Sequence, residues 1–277
     1  LHIAAHNGRI EVAKYLVDHG ADISATDNFG ETPLHKSKSI EVAKYFVDHG
    51  ADISATDNSG ETPLHKFTYE WSIEVTKYLV DHGADISATD NSGQTPLHKS
   101  ADRGSIEVTK YLVDHGADIS ATDNYGQTPL HKSADRGSIE VTKYLVDHGA
   151  DISAIDNSGQ TPLHKSRSIE VAKYLVDHGA DISATDNSGQ TPLHKSADRG
   201  SIEVAKYLVD HGADISVKDN SGDTPLHKSA YEWSIGVAKY LVDHGADISV
   251  TDNSRDTPLH KSTYEWSIRV AKYLVDH

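Results

Sequence analysis

The sequence predicts an all-α repeat solenoid, a stack of antiparallel helix pairs with projecting β-hairpin turns. Two observations support this prediction. The tetrapeptide Thr-Pro-Leu-His recurs at intervals of 30 or 33 residues, and each copy is followed by the same pattern of two short helices. A fixed period of this length indicates stacked units, none of which can bury its apolar side alone. The prolines of the tetrapeptide are Pro33, Pro63, Pro96, Pro129, Pro162, Pro192, Pro225 and Pro258.

The chain divides into nine repeats that form a single array over 1–277. Leu1 and His2 continue the series one period upstream, so the first and last repeats are truncated. We expect the sequence to be a piece of a longer protein. The second and sixth repeats are three residues short between their helices, which should remove close to one turn of the first helix. The repeats are 1–26, 27–56, 57–89, 90–122, 123–155, 156–185, 186–218, 219–251 and 252–277.

The first half of a typical repeat, 90–122, combines a turn with a short helix. Its Asp-Asn-Ser-Gly start is typical of a turn, because Asp bonds nearby backbone and Gly tolerates positive φ. Thr95 suits the N-cap, Pro96 suits the first helical position, and Gly104 should end the helix. In the last repeat Arg255 replaces the turn glycine, which predicts a strained turn or a different turn type.

The second half of the repeat predicts another helix, which Ser105 can cap. Ile106, Val108 and Leu112 lie on one apolar arc, and Gly116 is the stop signal. A tyrosine recurs in this helix in all nine repeats. We interpret that row as a cover for the edge of the core along the convex side. Its members are Tyr15, Tyr45, Tyr78, Tyr111, Tyr144, Tyr174, Tyr207, Tyr240 and Tyr273.

These repeats resemble the ankyrin repeat. The resemblance spans the chain and rests on Thr-Pro-Leu-His, the glycine between the helices, Glu-Val in the second helix and the Gly-Ala-Asp that follows it. It implies a curved stack of antiparallel helix pairs, with hairpins at right angles and a concave groove as the usual binding surface. It also implies that the histidine of each tetrapeptide ties the backbone and the threonine hydroxyl between repeats. Most ankyrin proteins bind other proteins and have no catalytic activity.

The composition excludes several classes of function. The net charge is −16, which argues against nucleic acid and anionic membranes as partners, since both need a positive surface. There are no cysteines, so disulfides, thiolate zinc sites and cysteine nucleophiles are excluded. No stretch approaches the length of an apolar membrane helix. We expect a cytoplasmic protein, or one in a host cytosol if it is an effector.

A lysine follows the tetrapeptide in eight repeats, where helical spacing places it on the groove face. A row of like charges is unfavourable unless acids interleave. We favour a solvated groove face over a binding stripe for acidic groups, for which Lys99, Lys132 and Lys195 are the candidates. The row comprises Lys36, Lys66, Lys99, Lys132, Lys165, Lys195, Lys228 and Lys261.

The connection between the two helices varies most. Ala-Asp-Arg-Gly in three repeats becomes Tyr-Glu-Trp, preceded by Thr or Ala, in three others, so the loop there must be reshaped. Exposed Tyr and Trp are favoured binding anchors, whereas packing on the neighbouring loop is the alternative, which we favour slightly. The partner-binding candidates in these connections are Phe67, Tyr69, Trp71, Tyr231, Trp233, Tyr264 and Trp266. Phe29 and Tyr125 at the turn tips complete the set.

The nineteen histidines suggest metal binding, but they recur with the architecture. A single-file row offers at most two ligands, whereas metal sites need three or four. The Asp-Asn-Ser-Gly turns lack the alternating acids and terminal Glu of a calcium loop. No phosphate loop or catalytic constellation stands apart from the repeats. We therefore expect no cofactor, no metal and no catalytic activity.

The leading hypothesis is a non-enzymatic protein-binding scaffold that uses the concave groove, the turn tips and the inter-helix connections. The alternative is a self-associating rod or filament subunit, because truncated end repeats leave apolar faces that could meet end to end. A host-directed effector is a third hypothesis, by analogy alone.

Overall fold

The computed structural model describes residues 1–69, 73–264 and 267–277, with only the backbone of Tyr69 and Glu232. Paired helices recur along these residues, which confirms the all-α repeat solenoid. The helices are α1 His2–His6, α2 Ile10–Asp18, α3 Ile40–Asp48, α4 Pro63–Tyr69, α5 Ile73–Asp81, α6 Pro96–Arg103, α7 Ile106–Asp114, α8 Pro129–Arg136, α9 Ile139–Asp147, α10 Pro162–Lys165, α11 Ile169–Asp177, α12 Pro192–Arg199, α13 Ile202–Asp210, α14 Pro225–Lys228, α15 Ile235–Asp243, α16 Pro258–Tyr264 and α17 Ile268–Val275; a 3-10 turn, Glu232–Ser234, precedes α15.

The two short repeats lose most of their first helix, as their length predicts. In 156–185 this helix, α10, has 4 residues, against 8 in α6 of a full repeat. In 27–56 the residues after Thr32 form a turn and no α-helix. The second helix has the same length, 9 residues, in α3 and α11 as in α7. The deletion therefore affects the first helix of the repeat and leaves the second helix unchanged.

The chain forms two compact units, each with its own core. The first contains 1–129 and 147–149, and the second contains 130–146 and 150–277. Each core is built from the apolar arcs of the helices, including Leu64, Leu79 and Phe46 in the first unit. In the second unit the same positions are filled by Leu163, Leu193, Leu226, Leu175, Leu208 and Leu241. Burial therefore confirms the apolar arcs that the sequence predicts.

The tetrapeptide histidine joins each repeat to the next. In 186–218, the Thr191 N–H donates to His194 Nδ1 at 3.1 Å, and His194 Nε2 donates to the Asp223 carbonyl of the following repeat at 3.0 Å. A carbonyl can only accept, so the proton lies on Nε2 and leaves Nδ1 as the acceptor. Thr191 also caps the helix, with Pro192 at its first position. This geometry confirms the bridging role that the resemblance implies.

The turns stack on one another without forming a sheet. Asp57 N donates to the Glu61 carbonyl at 3.0 Å, while Asp57 Oδ1 accepts from the N–H groups of Ser59 and Glu61. Asn91 of the next repeat donates from its backbone N to the Ser59 carbonyl at 2.9 Å. The projecting hairpins are thus compact turns, and none of the described residues is in a β-strand. Their arms are too short to form a ladder beyond the closing bond.

The last turn keeps the common geometry despite its substitution. Arg255 has φ 67°, in the left-handed region that glycine occupies in the other turns. Its N–H donates to the Asp252 carbonyl at 3.1 Å, as Gly93 does to Asp90 at 2.9 Å. The turn type is therefore unchanged and Arg255 is strained, which decides between the two predicted alternatives.

Candidate functional site

The lysine row on the groove face is interleaved with acids from the turns. Lys66 Nζ lies 2.8 Å from Asp57, 2.6 Å from Glu61 and 3.1 Å from Glu31 of the preceding repeat. Burial opposes the charge on Lys66, yet the hydrogen bonds that it donates to Asp57 and Glu61 raise its pKa above the ordinary value. The row is therefore a line of ion pairs that also joins neighbouring repeats.

The candidate lysines are part of this line. Lys99 Nζ lies 2.7 Å from both Glu61 and Asp90, and Lys195 Nζ lies 2.9 Å from Asp186. Lys132 also has an interaction partner. The Lys99 side chain is only 17% exposed. The ammonium groups of Lys99 and Lys195 are engaged within the protein, so an open stripe for acidic partners is contradicted at these two lysines.

The connection in 219–251 presents an ordered pair of aromatic side chains. Trp233 is 63% exposed, and its Nε1 donates to the Asp198 carbonyl of the preceding repeat at 3.0 Å. Its ring stacks on Tyr231, with 4.6 Å between centroids and 15° between planes. We call these two side chains the aromatic pair. Trp233 does not adopt the left-handed conformation, because the chain leaves α14 after Lys228 and forms a 3-10 turn.

The contacts of Trp233 fit both interpretations of these connections, local packing and partner binding. The indole N–H anchors Trp233 to the neighbouring repeat, as local packing requires, while most of the ring faces solvent, as a binding anchor requires. Gly200 permits this close approach, because a Cβ there would lie 2.7 Å from the Trp233 carbonyl oxygen. The neighbouring backbone therefore fixes the tryptophan without covering it.

The other candidates in the connections differ in exposure. Phe67 is 2% exposed and belongs to the core of the first compact unit, so its choice as a partner-binding residue was wrong. Tyr264 at the end of α16 is 66% exposed. Trp71, Trp266 and the side chain of Tyr69 lie outside the part that the structure describes.

Large side chains are also exposed at the turns. Phe29 is 69% exposed, with Lys36 Nζ 5.6 Å from its ring centroid, and Tyr125 is 62% exposed. The sequence pattern did not single out Ile155, which is 65% exposed just before the turn of its neighbouring repeat. The sequence alone could have singled out Ile155, because most repeats have threonine at that position.

A cleft of about 220 Å³ opens beside the aromatic pair, and the sequence did not predict it. Asp198 and Gln190 come from one repeat, Asp223, Lys228 and Tyr231 from the next, and Lys261 from the one after. We call it the Tyr231 cleft. No single repeat contains it, which is why the pattern of one repeat did not reveal it.

The tyrosine row on the second helices ties repeats together. Tyr78 donates its hydroxyl to Asp48 of the preceding repeat at 2.9 Å, and its ring packs on His82 with centroids 3.8 Å apart. Lys44 Nζ lies 5.5 Å from the same ring centroid. Burial and the bond to Asp81 raise the pKa of the equivalent Tyr111 to about 12. These contacts support a structural role for the row.

Neither a metal cluster nor a membrane helix occurs in the described part of the chain. Within residues 1–69, 73–264 and 267–277, no three His, Asp or Glu side chains converge in a group that could hold a metal ion. None of the helices in the same residues has the length and apolar character needed to cross a bilayer.

Comparisons with known proteins agree with the geometry. The family model described as "Ankyrin repeats (3 copies)" matches overlapping segments that together span the chain: 1–57, 36–123, 118–186, 155–219, 170–252 and 216–277. A putative ankyrin repeat protein of Rickettsia bellii (strain RML369-C) is 57% identical over 37 residues. That similarity covers 13% of this chain and 16% of the relative's length, so it supports the repeat alone.

Proposed function

The chain belongs to the ankyrin repeat family, and we propose that it is a non-enzymatic scaffold that binds a partner protein through its inter-helix connections. Ankyrin repeats are generally protein–protein interaction modules. The aromatic pair is the centre of the proposed surface. The exposed turn side chains Phe29 and Tyr125 belong to the first compact unit and are separate candidates for a contact of the same kind.

The exposed and anchored state of Trp233 is the observation that supports this proposal. An aromatic side chain that is 63% exposed can bury a large area against a partner. The stack on Tyr231 and the bond to the Asp198 carbonyl already restrict its conformation, so less entropy is lost on binding. Trp and Tyr with these properties are the residues that most often dominate interface energies.

Affinity measurements on a Trp233→Ala variant test the proposal. Protein fragments would first be selected for binding from a displayed library, and their Kd values measured by calorimetry. We expect Trp233→Ala to weaken binding at least about tenfold, because a central aromatic anchor contributes more than about 1 kcal/mol. Circular dichroism would confirm that the variant stays folded.

Tyr15→Ala is the matched control. Tyr15 is 62% exposed, close to the value for Trp233, but it lies on a second helix and stacks on His19. Its replacement should change the Kd less than about twofold. Equal affinities for the folded Trp233→Ala variant and the unaltered protein would refute the proposed surface.

A further inference from the structure

We propose that the Tyr231 cleft binds the guanidinium group of an arginine in a basic segment of a partner protein. This inference rests on the proposed function, because it specifies the chemistry of a partner that the aromatic pair would hold. It is carried by an unpaired carboxylate, an aromatic wall and a buried carboxylate oxygen without a hydrogen-bond donor in one cleft.

The carboxylate of Asp198 lacks the partner that its counterpart has. Asp135 occupies the same position in an earlier repeat, where its Oδ1 accepts from Arg167 Nε of the following repeat at 2.8 Å. Asp198 is exposed, and its carboxylate forms no ion pair or hydrogen bond with any side chain in the described part of the chain. The repeat after Asp198 has the four-residue connection Ala230-Tyr231-Glu232-Trp233, where the shortened repeat after Asp135 has Arg167 alone. The Arg167 contact thus shows that an arginine can pair with the aspartate at this position of a repeat.

The arginine next to Asp198 in the sequence, Arg199, bonds to the preceding repeat. Arg199 donates to the carbonyls of His164 at 2.8 Å and Lys165 at 3.2 Å. These carbonyls end the shortened helix α10, where one turn of partners is missing. Arg199 therefore faces the preceding repeat, and the cleft side of Asp198 has no arginine of its own.

The aromatic pair supplies a flat wall for a planar cation. Tyr231 lines the cleft and is held parallel to Trp233, with an angle of 15° between the rings. A guanidinium group stacks on aromatic faces and pairs with a carboxylate through two parallel hydrogen bonds, which an ammonium group cannot do. The combination of Tyr231 with Asp198 therefore favours arginine over lysine.

The carboxylates that line the cleft, counted with the ion-pair partners of its lysines, outnumber its ammonium groups. Lys228 lies 2.9 Å from Asp219 and 2.8 Å from Asp223, and Lys261 lies 2.7 Å from Asp252. Asp223 is 7% exposed, and its Oδ1 has no hydrogen-bond donor, with Lys261 Nζ at 3.6 Å. Asp198 and Asp223 line the cleft with Lys228 and Lys261, and the ion-pair partners Asp219 and Asp252 outside the lining bring the carboxylates to four against two ammonium groups. A cationic ligand is therefore favoured and an acidic one disfavoured.

The sequence couples aromatic residues with negative charge in the same repeats. The three repeats with Tyr-Glu-Trp have Glu61, Asp223 and Asp256 before the tetrapeptide. The three with Ala-Asp-Arg-Gly have Gln94, Gln127 and Gln190 there. Because glutamate also replaces arginine in the connection and tyrosine replaces aspartate, the connection and the position before the tetrapeptide together carry two more negative charges in each aromatic repeat, while Gly236 and Arg269 replace the glutamate of the second helix in two of them. In these six repeats the aromatic connection and the acid before the tetrapeptide occur together, as recognition of a cation favours, whereas Glu31 stands at that position in a short repeat without Tyr-Glu-Trp.

The test uses the Trp233 indole N–H resonance as a local reporter, assigned by its loss in a Trp233→Phe variant. The probe is the peptide Gly-Arg-Gly-Arg-Gly-Arg-Gly, titrated into the labelled protein at low ionic strength. The control peptide has citrulline in place of each arginine, which keeps the shape of the side chain and removes its charge. We expect the arginine peptide to shift the resonance, with the citrulline peptide at least about tenfold weaker.

Asp198→Asn and Asp135→Asn are the matched variants, since both remove a carboxylate at the same position of a repeat. We expect Asp198→Asn to raise the Kd at the Trp233 reporter about tenfold and Asp135→Asn to change it less than about twofold. Equal effects of the two variants, or equal binding of the citrulline peptide, would overturn the arginine assignment.

The scaffold function and the arginine assignment can fail separately. If Trp233→Ala weakens selected protein partners while Asp198→Asn leaves arginine-peptide binding unchanged, the scaffold function stands and the arginine assignment is wrong. If neither variant changes any affinity, both proposals fail.

Discussion

Lowering the pH from about 7.5 to about 5.5 is expected to reduce the free energy of unfolding steeply. Burial is the main reason that the pKa values of His35, His65 and His194 are lowered, and the bond to the next repeat's carbonyl opposes this effect only in part. His164 and His227 show the same direction for the same reason. Each of these imidazoles joins two repeats.

The direction of this pH dependence follows from where the protons bind. In the folded protein Nε2 already donates to a carbonyl, and a second proton on Nδ1 would face the threonine N–H that Nδ1 now accepts. The unfolded chain binds that proton near pH 6.5. Stability from these histidines is therefore complete above about pH 6.5 and is lost as the pH falls through that value toward the folded pKa values.

The effect is large because it is repeated. Each proton taken up on unfolding contributes up to about 1.4 kcal/mol per pH unit, and five such histidines act in the same direction. Urea unfolding followed by circular dichroism at a series of pH values measures the slope. A urea midpoint that stays constant between about pH 7.5 and 5.5 would contradict the neutral bridging histidines.

Replacing Lys66 with methionine is expected to be strongly destabilising. The change leaves Asp57, Glu61 and Glu31 facing one another without the ammonium group that now lies within 3.1 Å of each. Breaking a fully buried ion pair costs about 3–5 kcal/mol. The Lys66 side chain is 22% exposed, so solvent should reduce this to about 2 kcal/mol.

Lys165→Met is the matched control for this prediction. Lys165 Nζ lies 2.9 Å from Asp156, and Gln160 occupies the position that Glu61 has in the other repeat. Because fewer acids repel one another there, the loss of Lys165 should lower the free energy of unfolding by about 1 kcal/mol. Chemical denaturation of both variants supplies the comparison. If the two losses of stability were equal, clustering of acids around Lys66 would not be the cause.

Much of the fold follows from the repeated sequence. Leu97 and Ala101 on one face, Thr95 before Pro96, and Gly104 after the helix predict α6 and its burial from local chemistry alone. The shortening of α10 followed from counting residues in its repeat. The sequence indicated that the lysine row is unfavourable unless acids interleave with it, and Asp57 and its equivalents supply those acids.

The candidate site was less predictable. Phe67 was assigned to the surface because Tyr and Trp follow it, although it lies three residues after Leu64 and thus on the buried face of α4. Helical spacing could have corrected that assignment. The Tyr231 cleft depends on how side chains of three successive repeats meet, which the pattern of one repeat does not determine. End-to-end association and a cytoplasmic location stay predictions.

Quenching of Trp233 fluorescence tests the proposed binding surface most directly. Replacing Trp71 and Trp266 with phenylalanine leaves Trp233 as the single tryptophan of the three in the chain. Acrylamide should quench it efficiently in the free protein, because its side chain is 63% exposed. A saturating selected partner should reduce the quenching constant by about half or more, since an interface core excludes solvent. An unchanged quenching constant at saturation would show that the partner binds elsewhere.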